Sequence, residues 1–198
     1  MADIWLMRHG IYEGHRPGYH APPEAALTPE GRDQIHRSLP LPDGITAIVT
    51  SPIPRAHQTA ETVAHLTGLP IVAASDLLAE WRAPHMVLGH TPSTYPLAYR
   101  TWRERRLTHP SLSCEDGESL TDLHTRARLC AAFLHRTAQE HGPLLAVSHT
   151  LLLGVLTHLT EGPTAFLTAA KAPWRFAERR PFTPGCSATT PAFRPPAP

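Results

Sequence analysis

Two basic side chains follow the first apolar run of the sequence directly. The run from Ile4 to Met7 has the length and composition of a buried strand, and Arg8, His9 and Gly10 come after it without a break. In open α/β sheets the carboxyl ends of the strands form the edge at which ligands bind. The pattern therefore predicts a strand that presents an arginine and a histidine to a ligand-binding edge. A strand followed by an ordinary polar turn is the alternative that this stretch alone leaves open.

A further arginine stands where a helix is predicted to begin. Ser51 and Pro52 follow the β-branched run from Ile45 to Thr50 and look like a helix cap and a helix start, which places Arg55 in the first turn. A helix N-terminus attracts anions through its free N–H groups. An arginine adds a planar pair of donors that suits phosphate. The arrangement favours phosphate binding over the alternative, a solvated arginine on a helix surface.

The pattern of strand, polar tip and helix recurs at a third place. The run from Leu144 to Val147 predicts a buried strand, Ser148 and His149 follow it, and a helical segment comes next. A phosphate monoester carries about two negative charges near neutral pH. A site that binds it must supply positive charge or hydrogen-bond donors. Arg8, Arg55 and His149 can supply them from three different strand ends.

These stretches, taken in order, resemble the motifs of the histidine phosphatase superfamily, also called the phosphoglycerate mutase-like family. After Arg8-His9-Gly10 the matching stretches are Leu27-Thr28-Pro29-Glu30-Gly31, Ser51-Pro52-Ile53-Pro54-Arg55-Ala56-His57-Gln58-Thr59-Ala60, Gly117-Glu118-Ser119 and Val147-Ser148-His149-Thr150. The resemblance extends to about Leu159. It implies an α/β fold, a three-layer α/β/α sandwich with a mostly parallel central sheet. The alternation of predicted strands and helices agrees with that fold.

The resemblance also implies a reaction. His9 would attack the phosphorus atom of a phosphate monoester and form a phosphohistidine that water then hydrolyses. The protein would thus be a metal-independent phosphoric monoester hydrolase with no cofactor. Arg8, Arg55 and His149 would bind the substrate phosphate and, with His9, form part of the catalytic set. Glu80 matches the position of the acid that protonates the leaving group.

The proton donor has competitors in the sequence. A surface glutamate paired with an arginine is the alternative for Glu80, because the chain continues Trp81-Arg82-Ala83-Pro84 where the family often has a glycine. The other carboxyl groups that compete for the role are Glu13, Asp76 and Glu118.

The chain departs from the family pattern after its first motif. Ile11 and Tyr12 stand where many members have Glu-Thr, and His15 stands near the position of an asparagine. This departure argues against a phosphoglycerate-type mutase. The mutase stays an alternative function, as does a phospho-ligand binding protein without turnover. Retention of the two arginines and two histidines together disfavours the binding protein, which would need no nucleophile.

Composition and charge narrow the class of protein. The 198 residues carry a net charge of +1 and are 41% hydrophobic, which gives no reason to expect nucleic acid or a membrane as partner. We see no signal peptide and no apolar run long enough to span a bilayer. Cys114, Cys130 and Cys186 form no CxxC pair and are odd in number, so neither a zinc site nor a disulfide framework is indicated. We expect a cytoplasmic protein that acts on a small phosphorylated metabolite.

The predicted domain organisation is simple. Residues 1–190 form a single domain with a last edge strand at 187–190, and residues 191–198 form a proline-rich tail. Residues 83–116 are an insertion that, in the resembled family, often caps the pocket and selects the substrate. Within it one helical face is predicted from Tyr95, Tyr99, Trp102 and Arg106, and its arginines are interpreted as solvated.

Overall fold

The computed structural model describes residues 3–182, which form a five-stranded sheet with helices on both faces. The strands are β1 (Ile4–Arg8), β2 (Ala47–Thr50), β3 (Ile71–Ala74), β4 (Leu144–Ser148) and β5 (Arg179–Pro181). Their order across the sheet is β3-β2-β4-β1-β5. All neighbouring pairs are parallel except β1 with β5. The predicted α/β/α fold around a mostly parallel sheet is confirmed.

Six helices make the outer layers of the described part. They are α1 (Pro29–Arg37), α2 (Pro54–Thr67), α3 (Leu97–Arg105), α4 (Leu120–His141), α5 (Thr150–Thr157) and α6 (Ala165–Lys171). On one face α1 and α2 bury Ile35, Ala60 and Val63 against the sheet. On the other face α4, α5 and α6 share a second apolar cluster with the strands. Every residue of β4 is buried, as expected for a central strand that is covered on both sides.

The start of α1 follows directly from local sequence. The Thr28 hydroxyl accepts a hydrogen bond from the backbone N–H of Gly31 at 3.0 Å, and Pro29 occupies the first turn. Thr28 thereby satisfies one of the N–H groups that a helix start leaves free, and Pro29 has no N–H to satisfy. Thr28 and Pro29, which lie in the second quoted motif, thus explain where α1 begins, and the helix ends at Arg37.

The predicted cap at Ser51 is wrong. Helix α2 begins at Pro54, its capping residue is Ile53, and no side chain caps it. The Ser51 hydroxyl accepts from the Ile53 N–H at 3.2 Å in the turn before the helix and contacts His149 at 2.9 Å. Ser51 therefore belongs to the end of β2 and to its polar edge rather than to the helix.

The segment 83–116 contains a short 3-10 turn at His85–Val87 and helix α3. Tyr99 and Trp102 are buried, as the predicted helical face requires. The interpretation of Arg106 as solvated is wrong, because its guanidinium lies 4.9 Å from the ring centroids of both Trp102 and Phe166. Two aromatic faces stabilise the cation in this buried position.

The edge strand β5 is not predicted from the sequence. It is only three residues long and contains two arginines and a proline, so it shows no apolar alternation. Its pairing with β1 is extended by a bond from the Arg8 N–H to the Glu178 carbonyl oxygen at 3.0 Å. The predicted strand at 187–190, the domain end at 190 and the tail at 191–198 lie outside the described residues. Between residues 3 and 182, no helix combines the length and the apolar character needed to cross a membrane.

Candidate active site

The predicted site residues meet where three adjacent strands end. His9 follows β1, His149 follows β4 and Ser51 follows β2, and these strands are neighbours in the order β2-β4-β1. Because the strands are parallel, the three side chains reach the same edge of the sheet. The ring centroids of His9 and His149 are 5.0 Å apart, and the two side chains are 3% and 0% exposed. The structure thus brings both predicted histidines into one buried cluster.

The hydrogen bonds of His9 define which ring nitrogen carries the proton. Its Nδ1 atom lies 2.7 Å from the carbonyl oxygen of Gly10, which can only accept, so Nδ1 is the protonated nitrogen. Its Nε2 atom lies 3.3 Å from the Nε–H of Arg55, which can only donate. Burial, followed by the charge of Arg55, holds the pKa of His9 well below its usual value. His9 is therefore a neutral imidazole with a lone pair on Nε2.

Two glycines allow the loop after β1 to lie against the start of α1. A Cβ atom on Gly10 would stand 2.6 Å from the Gly31 carbonyl oxygen, and one on Gly31 would stand 2.3 Å from the Ile11 carbonyl oxygen. The Gly10 N–H also donates to Thr59 Oγ1 at 3.1 Å. Only glycine fits both positions without a shift of the backbone. The glycines of the first two motifs therefore fix the orientation of His9.

Arg8 is oriented by the segment that follows α6. Its Nη1 atom donates to the Trp174 carbonyl oxygen, and its guanidinium carbon lies 3.9 Å from the centroid of the Phe176 ring. The Trp174 N–H in turn donates to Thr150 Oγ1 at 2.9 Å, which ties this segment to the start of α5. Arg8 is thus held between a carbonyl and an aromatic face, next to His9 in the sequence.

Arg55 approaches the same histidine from the first turn of α2. Its Nη1 atom donates to the carbonyl oxygen of Pro22 at 3.1 Å, and its guanidinium carbon lies 5.2 Å from the centroid of the Tyr12 ring. Burial lowers the pKa of Arg55, and the charge of Glu80 acts in the opposite direction. Arginine stays protonated under such shifts, so a full positive charge stands beside Nε2 of His9.

His149 has one satisfied and one free ring nitrogen. Its Nε2 atom lies 2.9 Å from Ser51 Oγ, whereas its buried Nδ1 atom has no hydrogen-bond partner among residues 3–182. Burial, followed by the nearby His9 and Arg55, holds the pKa of His149 well below its usual value. A neutral imidazole with an unpartnered nitrogen at the charged edge of the sheet is suited to contact a bound oxyanion.

Glu80 lies at the N-terminus of α5. Its carboxylate accepts from the backbone N–H of Trp81 at 2.9 Å, of Leu151 at 3.2 Å and of Leu152 at 3.1 Å. These bonds fix the carboxyl group against the first turn of α5, the helix that follows His149. Its charge also opposes the effect of burial on the pKa of Arg8.

A buried ion pair holds the backbone on which Glu80 stands. Arg126 donates to both carboxylate oxygens of Glu118, each at 2.8 Å. It also donates to the carbonyl oxygens of Leu77, Ala79 and Glu80 at 3.2, 2.7 and 3.3 Å. Glu118 is therefore engaged in this pair. The other competing carboxyl groups, Glu13 and Asp76, are exposed.

Several side chains of the site cannot be identified as site residues from the sequence. The rings of Tyr12 and Phe176 lie 5.6 and 5.9 Å from the His9 ring, and His15 contacts Phe176 at 5.0 Å between centroids. Ser51 lies inside a quoted motif, but its role there is not visible from its type. Phe176 has no local signal at all. None of the described His, Cys, Asp and Glu side chains forms a group of three or more that could hold a metal ion.

Comparison of the sequence with family models gives one match. The model of the histidine phosphatase superfamily (branch 1) matches residues 4–172. The match spans all five quoted motifs and most of the described structure. Among curated protein sequences, none matches this chain.

Comparison of the fold with solved structures gives consistent neighbours. The α-ribazole phosphatase from Shigella flexneri is 20% identical with a TM-score of 0.72, and 90% of this chain and 89% of that one are covered. The mycobacterial glucosyl-3-phosphoglycerate phosphatase is 23% identical with a TM-score of 0.69, covering 91% and 89%. A phosphoserine phosphatase variant from Entamoeba histolytica, solved with phosphoserine, is 20% identical with a TM-score of 0.68, covering 91% and 90%. At these identities the likeness establishes the fold.

Proposed function

The chain belongs to branch 1 of the histidine phosphatase superfamily, and on that basis we propose that it hydrolyses a small phosphate monoester through a phosphohistidine on His9. One observation carries the proposal. The Nδ1–H of His9 is bound to the Gly10 carbonyl oxygen at 2.7 Å, which puts the lone pair of the ring on Nε2. The Nε–H of Arg55 contacts this lone pair at 3.3 Å and would turn to the phosphoryl group when substrate binds. A neutral, oriented imidazole is the state that a phosphorus nucleophile requires.

The substrate phosphate would bind among Arg8, Arg55 and His149. Arg55 Nη1 is bound to the Pro22 carbonyl oxygen. A phosphoryl oxygen carries more negative charge than a carbonyl and makes the stronger bond with a guanidinium, so substrate would take the place of this loop contact. The guanidinium of Arg8 and the free Nδ1 of His149 supply further donors to the same group. Donors fixed before the reaction stabilise the charge on the transferring phosphoryl group.

His9, Glu80 and water are sufficient for the chemical steps. Nε2 of His9 forms a bond to phosphorus while the ester P–O bond breaks, and the leaving oxygen takes a proton from the Glu80 carboxyl group. Positive charge on the phosphorylated ring strengthens the Nδ1–H bond to Gly10. Water then loses a proton to the Glu80 carboxylate and attacks phosphorus. The N–P bond breaks, phosphate leaves and His9 regains its lone pair.

The nature of the substrate is part of the same proposal. The three solved neighbours are phosphatases whose names refer to α-ribazole, glucosyl-3-phosphoglycerate and phosphoserine. Small phosphorylated metabolites of this kind are the substrates we propose here, with residues 83–116 as the selecting cap. A contact supports the cap role, since the hydroxyl of Tyr95 lies 3.1 Å from Nε2 of His20 in the loop after β1. The buried thiols of Cys114 and Cys130 are free, which suits a reducing cytoplasm.

Phosphate release tests the proposal. Wild type, His9→Ala and the control His65→Ala, an exposed histidine of α2, are assayed with chelator on an aryl phosphate and a panel of metabolite esters. We expect release by wild type and His65→Ala and none by His9→Ala. If His9→Ala is as active as wild type, His9 is not the nucleophile. If chelator abolishes the activity of wild type, the reaction requires a metal ion.

A further inference from the structure

Ser51 occupies a fully buried position beside the proposed phosphate site. It follows β2 directly and is 0% exposed, as is His149. Its hydroxyl oxygen makes two contacts in the described part of the chain. It accepts from the Ile53 N–H at 3.2 Å, and it lies 2.9 Å from Nε2 of His149.

The proton of this contact is assigned by counting donors and acceptors. If Nε2 carried the proton, it would donate to Oγ, and the buried Ser51 hydroxyl proton would have no acceptor among residues 3–182. A buried hydroxyl without an acceptor is costly. The Nε2–H state would also leave the Nδ1 lone pair without a donor. If Oγ–H donates to the lone pair of Nε2 instead, the only group of the pair left without a partner within residues 3–182 is the Nδ1 proton, which a bound oxyanion can accept. The neutral ring then carries its own proton on Nδ1.

In this tautomer Nδ1 of His149 becomes a hydrogen-bond donor. Nδ1 is buried and unpartnered within residues 3–182. With a proton it can donate to a phosphoryl oxygen, whereas in the other tautomer its lone pair would face an anion and repel it. The bond made by one ring nitrogen sets the state of the other.

We propose that Ser51 is a positioning residue that fixes His149 in the Nδ1–H tautomer, so that the neutral ring donates a hydrogen bond to the substrate phosphate. The inference rests on the proposed function, because it takes the phosphate site described above as given. His149 would then bind the phosphate in its neutral form, without taking up a proton. In this proposal Ser51 acts through the histidine and not by its own contact with substrate.

The first test observes the tautomer and needs no turnover. Proteins with 15N-labelled histidine are compared by NMR at neutral pH, and the His149 signals are assigned by their loss in His149→Gln. We expect a protonated Nδ1 and a bare Nε2 in wild type, and a mixture of both tautomers in Ser51→Ala. Ser51→Thr, which keeps a hydroxyl, should restore the wild-type pattern. A protonated Nε2 in wild type would overturn the proposal, even if the enzyme proves to be an active phosphatase.

The second test measures binding of inorganic phosphate by titration calorimetry. A lost hydrogen bond to a charged group corresponds to a Kd that is about tenfold or more weaker in Ser51→Ala. Ser75→Ala is the matched control, because Ser75 follows β3 and accepts from the N–H of Leu77 two residues later without touching a histidine. In a His149→Gln background Ser51→Ala should cause no further loss. An unchanged Kd in Ser51→Ala, or the same loss in the His149→Gln background, would show that Ser51 does not act through His149.

Discussion

The Nε atom of Arg55 lies 3.3 Å from the Nε2 atom of His9. The contact places a permanent positive charge beside the unprotonated nitrogen of the ring, and this charge opposes protonation of His9. In the proposed mechanism Nε2 attacks phosphorus, and the same guanidinium would bind the phosphoryl group. The proposal thus gives this one contact two roles.

Stability should fall in mildly acidic solution. Burial lowers the pKa of both His9 and His149 well below the usual value of about 6.5. Below about pH 6.5 the unfolded chain therefore binds protons that the folded chain does not, and the free energy of unfolding decreases by up to ~1.4 kcal/mol per pH unit for each site. Above that pH both states are neutral at these residues and their contribution is flat. Urea unfolding at a series of pH values measures the slope.

Variants identify the residues responsible for this slope. His149→Gln should make it smaller, whereas the exposed His65→Gln should leave it unchanged. The same slope in wild type and His149→Gln would mean that the buried ring is not held neutral by the fold.

Glu80→Gln should affect esters according to their leaving groups. An alkyl oxygen needs a proton as it leaves, whereas an aryl oxygen leaves more readily without one. We expect kcat/KM on alkyl phosphates to fall by about 10²-fold or more, and kcat/KM on an aryl phosphate to fall less. The ratio kcat/KM reports the transfer to His9 and excludes the hydrolysis step that both esters share. Asp76→Asn, a change at an exposed competing carboxyl group, should leave both rates near wild type. Equal losses on the two substrates would argue against Glu80 as the acid.

Arg126→Leu should destabilise the fold and disturb Glu80. It leaves the carboxylate of Glu118 without its partner and frees the backbone carbonyl of Glu80. Removing one member of a largely buried pair costs about 3 kcal/mol or more. Urea unfolding measures this loss, with the exposed Arg128→Leu of the same helix as control. If Arg126→Leu lowers the free energy of unfolding no more than Arg128→Leu does, the ion pair of Arg126 and Glu118 does not stabilise the fold.

Gly31→Ala should destabilise the start of α1. The new methyl carbon would stand 2.3 Å from the Ile11 carbonyl oxygen, so the backbone must shift. Overpacking of this kind costs about 1–3 kcal/mol. Glu30→Ala, an exposed change next to it in the helix, is the control for the unfolding measurement. Equal stability of Gly31→Ala and wild type would contradict the close approach of the two segments.

Local signals explain what could be predicted from the sequence. Short apolar runs that end in polar residues predict His9 and His149 at the ends of strands. This prediction needs only the few residues of each run, because a buried strand and the polar residues after it differ sharply in polarity. Thr28 and Pro29 are a local signal of the same kind, because a capping hydroxyl followed by proline is typical of a helix start. If the strands are parallel, their carboxyl ends lie at the same edge of the sheet, so the residues that follow them are expected to lie close together.

Tertiary contacts explain what could not be predicted. Phe176 and the carbonyl of Trp174 reach Arg8 only because β5 returns beside β1, more than 160 residues after it. The sequence predicts the correct helical face for Arg106, but its burial depends on Phe166 from another helix. The sequence predicts a helix cap at Ser51, but its partner is His149 at the end of a neighbouring strand. In each case the partner is distant in sequence and leaves no periodic signal.

Trapping of the covalent intermediate shows whether His9 is the nucleophile. Wild type is mixed with an aryl phosphate, quenched with denaturant at alkaline pH within the first turnovers, digested and analysed by mass spectrometry. We expect a phosphoryl group on His9 in wild type and in the control His65→Ala, and none in His9→Ala. Turnover by wild type with no phosphohistidine at His9, or with the phosphoryl group on another residue, would rule out His9 as the nucleophile.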